Sequence, residues 1–318
     1  MTQQSPLLTI VTPCHNALPY LGGLLDSVSR QTFSAWEHLV VDDGSTDASA
    51  AEVESRLAGE PRLRLIRQCQ SGVARARAAG YAAASAVSRY VYFLDADDLL
   101  EPDMLATLVS YLQAHPAVGV AYCDYRCIDG DGREAAKHGE QRYMPGLFGV
   151  RTVPAHEPRT PLFAVYSWAP VMESLSMIRR SVFDAAGGWD PAIGQPGEGV
   201  DLFTRVALFS EVHFVNQVLY VYRRHQAQAS HDWSRIARQD LKVQMKWRDR
   251  RDLSPRERTI IDAAQAFRAG RLRIHHNWAA ARRYFRRGQF RHGLHCCFDV
   301  CRTAGRRALR QSPWPTGT

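Results

Sequence analysis

Residues 90–98 read Tyr-Val-Tyr-Phe-Leu-Asp-Ala-Asp-Asp. The first five are apolar or aromatic and suit a buried strand. The next four place Asp95, Asp97 and Asp98 at that strand's carboxyl end. Carboxylates so close together repel one another. A divalent cation relieves that repulsion, and oxygen ligands of this kind suit Mg2+ or Mn2+, which can then bridge a diphosphate. The alternative is a solvated turn whose aspartates cap a helix opening at Pro102.

Outward from this segment the chain alternates strand and helix signals. Upstream, strands are expected over 7–12, 37–41 and 62–66. Helices are expected from Pro19 to about Gln31, after a cap at Ser45 or Thr46, and over 73–87, where eight of fifteen residues are Ala. Downstream, a helix runs from Pro102 to about His115 and a strand over 118–122. This alternation implies right-handed crossovers and a mostly parallel, Rossmann-like α/β sheet flanked by helices. In such sheets ligands bind beyond the carboxyl ends of the strands. Residues 129–161 read as a long loop. Short strands at 174–178 and 213–215 and helices at 182–186 and 202–210 follow, and from about Ser234 the chain turns helical and Arg-rich.

Two further strand ends carry polar groups. Asp42-Asp43-Gly44-Ser45 offers a carboxylate to a base N–H or a ribose hydroxyl, or else caps the next helix. Thr12-Pro13-Cys14-His15-Asn16 offers His15 as a stacker or donor at a base, or as an ordinary loop histidine. The chain has no G-x-G-x-x-G after its first strand, no G-x-x-x-x-G-K-[ST], no G-x-S-x-G and no H-E-x-x-H. Dinucleotide, P-loop, serine-hydrolase and zincin readings lose their support.

Composition bounds the rest. The 318 residues are 45% hydrophobic and 23% charged, which argues against a disordered chain, a collagen or a coiled coil. The formal charge of +8 is uneven: residues 1–225 hold 19 basic and 25 acidic groups, residues 226–318 hold 21 and 7. The tail, not the body, invites anionic partners. Seven cysteines show no zinc-finger spacing and read as reduced thiols. Met1–Pro6 lacks the charge pattern of a signal peptide, and no stretch has the roughly 18 apolar residues of a spanning helix. The expectation is a cytoplasmic protein, or one peripheral at the inner face of the membrane.

Taken together, residues 7–225 resemble a family-two inverting glycosyltransferase of the GT-A, nucleotide-diphospho-sugar transferase fold. The resemblance rests on VTPCHN (11–16), QTF (31–33), WEHLVVDDGSTD (36–47), SGVARARAAG (71–80), YFLDADDLLEP (92–102), SMIRRSVFDAAGGW (176–189), residues 201–208 and LYVYRRH (219–225), in the family's order. It implies a nucleotide-binding half over 7–128, an acceptor half over 129–225 and, beyond the 1–225 domain, a basic helical region over 226–318.

The resemblance also implies roles. Pro13 and His15 would line the base pocket, and Asp43 would meet the base, commonly uracil. Gly72 and Arg77 would lie beside the nucleotide. Asp95, Ala96 and Asp97 form the D-x-D, with Asp97 the direct metal ligand and Asp95 reaching ribose or metal. His225 falls where some relatives place a residue near the diphosphate, and is otherwise a packed surface histidine. Gly187-Gly188-Trp189-Asp190 resembles the acceptor-side G-G-F-D. The implied cofactors are Mn2+ or Mg2+ with a nucleotide sugar, UDP-sugar first, and the implied acceptor is a glycan or lipid-linked hydroxyl in polysaccharide or cell-envelope synthesis.

One departure concerns the base. The family shows Glu-Asp, two residues, then Leu and Arg. Here Glu198-Gly199-Val200-Asp201-Leu202-Phe203-Thr204-Arg205 puts Gly199 at the expected aspartate. Either Glu198 or Asp201 takes the role, in a loop made flexible by glycines at 194, 197 and 199, or the protein is a catalytically impaired sugar-nucleotide or glycan binder. A nucleotidyltransferase or phosphatase on a related sheet ranks below both, because a D-x-D phosphatase needs its nucleophile where Thr12-Pro13-Cys14 stands. In the tail, Phe290, Leu294, Cys297, Cys301 and Gly305 recur at helical spacing beside Arg283, Arg287 and Arg291, with Gly288 as a possible break. That stripe reads as a peripheral helix on an anionic membrane face or as helices packed on the body; no nucleic-acid module is visible.

Overall fold

The computed structural model describes residues 5–135, 158–168, 173–226, 228, 233–286, 289–292, 294 and 297, with backbone only at 233 and 270–284. The described strands form one sheet in the order β3-β2-β1-β4-β8-β6-β9-β5, with β7 paired to β6. They are β1 (Leu8–Cys14), β2 (Trp36–Asp43), β3 (Leu63–Gln68), β4 (Tyr90–Phe93), β5 (Leu99–Leu100), β6 (Val118–Asp129), β7 (Glu134–Ala135), β8 (Ser176–Arg179) and β9 (Glu211–Arg224). Pairs β1–β2, β1–β4, β2–β3 and β6–β9 are parallel; β8 is antiparallel to β4 and β6, and β5 to β9. All eight residues of β2 are buried, as expected of a central parallel strand covered on both faces. The mostly parallel α/β sheet read from the sequence is therefore present.

Helices α1 (Leu18–Ser29), α2 (Ser49–Leu57), α3 (Val73–Ala82) and α4 (Met104–Ala114) supply the crossovers. Helix α3 lies close to the sheet because its inner face is small. A methyl group at Gly80 would stand 2.4 Å from Val11 Cγ1 and 3.0 Å from Val41 Cγ2. The helix ends five residues before the expected Val87. Ser85 N–H donates to Glu37, and Ser88 Oγ accepts from Thr9 Oγ1 at 2.8 Å, which draws the chain out of the helix and into β4. Ser45 and Thr46 do not cap α2, which begins at Ser49 after Ala48. Instead Asn16 Oδ1, on a residue at φ 51°, accepts Thr46 N–H at 2.8 Å and ties the ends of β1 and β2 together.

The helices of the second half are α5 (Leu162–Trp168), α6 (Arg180–Ala185), α7 (Glu198–Ala207), α8 (Trp233–Asp249) and α9 (Pro255–Arg286). Strand β9 is far longer than the expected 213–215, because its far half pairs with both β6 and β5. The acidic segment 95–98 leads into β5, not directly into a helix. A second apolar cluster joins Tyr166, Ile193 and Val200 to Val243, Trp247, Ile261 and Ala264. Arg268 donates to the Tyr166 carbonyl at 2.9 Å and also bonds Asp240. The basic region thus packs on the body at least as far as Arg268. Further on, Phe290 and Leu294 are each 63% exposed. Gly288, Cys301 and Gly305 lie outside the described residues, as do 136–157 of the expected loop.

Candidate active site

The carboxyl ends of β1, β2, β3 and β4 lie side by side, because their pairings are parallel and in register. At the end of β2, Asp43 accepts from Gln68 Nε2 (2.7 Å), Ser71 N–H (2.8 Å) and Gly72 N–H (2.7 Å). Burial alone raises its pKa, but these hydrogen bonds outweigh burial and hold the carboxyl below its usual range. Gly72 takes φ 94°, a value that favours glycine, and opens α3. At the end of β1, exposed His15 is fixed through the Asp43 carbonyl, 3.0 Å from its Nδ1. That oxygen can only accept, so Nδ1 carries the proton and Nε2 accepts from Gln70 at 3.1 Å. Pro13, two residues before His15 on β1, is part-buried and paired with Val41 of β2.

The D-x-D segment divides by residue. Asp98 faces inward, 2% exposed, and accepts from Tyr220 Oη and from Arg223 N–H at 2.7 Å. It therefore anchors β9 to the end of β4. Asp95 and Asp97 keep 29% and 28% of their side-chain surface, with buried Ala96 between them. Asp97 Oδ2 lies 2.9 Å from His225 Nε2, and the His225 ring packs 4.6 Å from Tyr20. Burial first, then the neighbouring charge of Asp95, push the Asp97 carboxyl above its usual range despite the His225 hydrogen bond. Arg223 Nε holds the Asp97 carbonyl at 2.9 Å.

Arg77, from α3, is wholly buried and links two parts of the site. It donates to Asp95 at 2.8 Å and to Glu198 at 2.9 Å, and its guanidinium lies 5.1 Å from the ring centre of Trp189. Glu198 is 1% exposed, and its second oxygen accepts Gly197 N–H at 2.9 Å. The expectation of a flexible loop here is corrected: Glu198 opens helix α7, where its carboxylate suits the positive helix end. Asp201 is not brought to this cluster. Fully buried against α8, it accepts from Trp247 Nε1 (3.0 Å), Lys246 Nζ (2.9 Å) and Arg205 (2.8 Å). Of the residues assigned to the base pocket, the nucleotide, the metal and the catalytic base, only Asp201 stands apart from these strand ends.

Sequence reasoning missed Glu173, which lies just before β8 and faces Gly199, Glu198 and Arg77. Removal from water, with Glu198's charge beside it, pushes its carboxyl up to about 7, although Arg77 opposes the shift. No local signal marks it, since its partners come from α3 and α7. The Gln68–Ser71 clamp on Asp43 was missed for the same reason.

The residues fit a hard divalent cation. Two part-exposed carboxylates that repel each other are oxygen donors of the kind such an ion takes. Among the described residues no three such side chains form a closed cluster, so phosphate oxygens would have to complete the coordination.

A mostly parallel sheet with a hydrogen-bonded aspartate at the end of β2 and an Asp-Ala-Asp rim after β4 has the features of a GT-A glycosyltransferase fold. The match to the glycosyl transferase family 2 model over residues 9–185 bears this out, and the chain belongs to that family. It is 30% identical over 238 residues to the glycosyltransferase GlyA of Streptococcus pneumoniae, covering 71% of this chain and 32% of that protein. It is 35% identical over 145 residues to the O-antigen biosynthesis protein RfbC of Myxococcus xanthus, covering 45% of this chain and 11% of that one. The chain therefore spans a minor part of the length of these curated relatives. In structure it is similar to the Pyrobaculum calidifontis mannosyltransferase PcManGT in complex with GDP-Man and Mn2+, with a TM-score of 0.64 at 19% identity, covering 98% and 77% of the two chains. It is also similar to Staphylococcus aureus TarS in complex with UDP, with a TM-score of 0.58 at 16% identity, covering 83% and 71%. At these identities the likeness establishes the fold.

Proposed function

We propose that the protein transfers a sugar, with inversion, from a nucleotide-diphosphate donor to a hydroxyl of a glycan or lipid-linked acceptor in polysaccharide or cell-envelope synthesis. The observation that carries this reading is the pair Asp95 and Asp97. They remain part-exposed at the end of β4, while Asp98 beside them is spent on the fold. Asp97, Asp95 and His225 would hold Mn2+ or Mg2+, which when bound stabilises the negative charge of the departing diphosphate. His15 and Pro13 supply the base-side wall. Asp43 holds Ser71 and Gly72 in place at the start of α3, so its role here is to shape the base pocket as well as to border it. Arg77 fixes Asp95 and sets its direction.

UDP-linked and GDP-linked sugars are both supported by the ligands bound in the structural relatives. The test is release of nucleotide from UDP-glucose, UDP-GlcNAc and GDP-mannose with Mn2+. The wild type should release nucleotide from at least one donor, and Asp97→Ala should abolish metal-dependent release. Unchanged turnover in Asp97→Ala removes the metal assignment.

A peripheral seat on an anionic membrane belongs to the same reading, supported by exposed Phe290 and Leu294 beside exposed Arg291. Co-sedimentation with phosphatidylglycerol vesicles should fall when Phe290 and Leu294 are both changed to Ser. No fall defeats the membrane part alone.

A further inference from the structure

Three carboxylates stand near the start of α7, and two of them are occupied. Both Glu198 oxygens are hydrogen-bonded, and Asp201 is sealed against α8. Glu173 alone of the three is part-exposed. Its position relative to Gly199 is specific. A methyl group at Gly199 would stand 1.9 Å from Glu173 Oε1, 2.6 Å from its Cδ and 3.3 Å from its Cγ. The Glu173 carboxylate therefore fills the volume into which a side chain at position 199 would project, and it can be there only because residue 199 is glycine.

We propose that Glu173 is the general base of this enzyme, its carboxylate reaching from the segment before β8 into the space left by Gly199. This inference rests on the glycosyl-transfer reading above. In the reaction Glu173 accepts the proton of the acceptor hydroxyl as that oxygen bonds to the anomeric carbon. The bond from the anomeric carbon to the diphosphate oxygen breaks, and its electron pair leaves with the nucleoside diphosphate. The charges facing Glu173 are Glu198, Asp95 and, opposed to them, Arg77. Partial removal from water and the charge of Glu198 raise the carboxyl to about 7, a basicity matched to proton abstraction at working pH. The glycine at 199 is then a relocation of the carboxylate and not its loss.

The experiment uses the full chain with Mn2+ and the donor panel, water standing in for the acceptor, and measures nucleotide release and UDP–Mn2+ affinity separately. Glu173→Gln should lose about 100-fold or more in turnover, in line with general base catalysis, while UDP affinity stays within about twofold. The wild-type rise of turnover with pH through about 7 should vanish in the variant. The double variant Glu173→Gly, Gly199→Asp returns a carboxylate to the same place from the other chain segment and should recover at least about tenfold over Glu173→Gln. Turnover of Glu173→Gln within threefold of wild type overturns the proposal, as does an equal loss of turnover and UDP affinity. A wild type that neither binds UDP–Mn2+ nor releases nucleotide sinks the transferase reading itself, and this one with it.

Discussion

Arg77 Nη1 donates to Glu198 Oε1 at 2.9 Å, and neither side chain has any exposed surface. A helix that follows the third strand is thereby locked to one that lies 121 residues further along the chain. Removing one partner of such a pair strands the other charge in the interior, at a cost of about 3–5 kcal/mol. Arg77→Leu should therefore unfold at markedly lower urea concentration than wild type. A midpoint unchanged by the substitution contradicts the role of this pair as a buried tie.

Asp97 and Asp98 are adjacent, yet the structure gives them opposite consequences. Asp98→Ala leaves the Tyr220 hydroxyl and the Arg223 N–H without their acceptor, at about 1–3 kcal/mol each. Asp97→Asn relieves repulsion with Asp95 and keeps a polar group beside His225. Thermal denaturation should show the first variant clearly destabilised and the second no less stable than wild type in metal-free buffer. The reverse order would refute the division of labour.

Asp201 provides a contrast to Glu173. Asp201→Asn weakens its ties to Lys246 and Arg205 and loosens α8, a loss of several degrees in Tm. UDP–Mn2+ binding, measured by titration at a temperature where the variant is folded, should persist. Loss of binding at full folding would place Asp201 in the site after all.

The Glu173 carboxyl fixes a pH dependence of stability. Its pKa is near 4.5 in the unfolded chain and about 7 in the folded one. Between these values the folded state holds the proton that the unfolded state releases. This group's contribution is thus fully present below about pH 4.5 and lost as pH rises through about 7. Glu173→Gln removes the loss, so the Tm of the variant minus that of wild type should grow from pH 5 to pH 8 in metal-free buffer. A difference that stays flat or shrinks contradicts the raised carboxyl of Glu173.

Much of the fold was readable because its signals are local. The run 90–94 ends in aspartates, Pro and Ala mark α1 and α3, and Gly80 fits where α3 meets Val11 and Val41. The roles of Asp98, Asp201 and Glu173 were not readable, because nothing in a carboxylate's own neighbourhood says whether Tyr220, Trp247 or Gly199 will face it. Glu198 illustrates the same limit. Three nearby glycines suggested a mobile loop, but Arg77 and the first turn of α7 hold it in place.

The most direct test is anomalous scattering from a crystal of the full chain soaked with Mn2+ and UDP. The account predicts a manganese peak within coordination distance of the Asp97 carboxylate, bridged to the diphosphate, with the uracil against His15. A nucleotide bound elsewhere, or a diphosphate seated at these strand ends with no metal at Asp97, contradicts it.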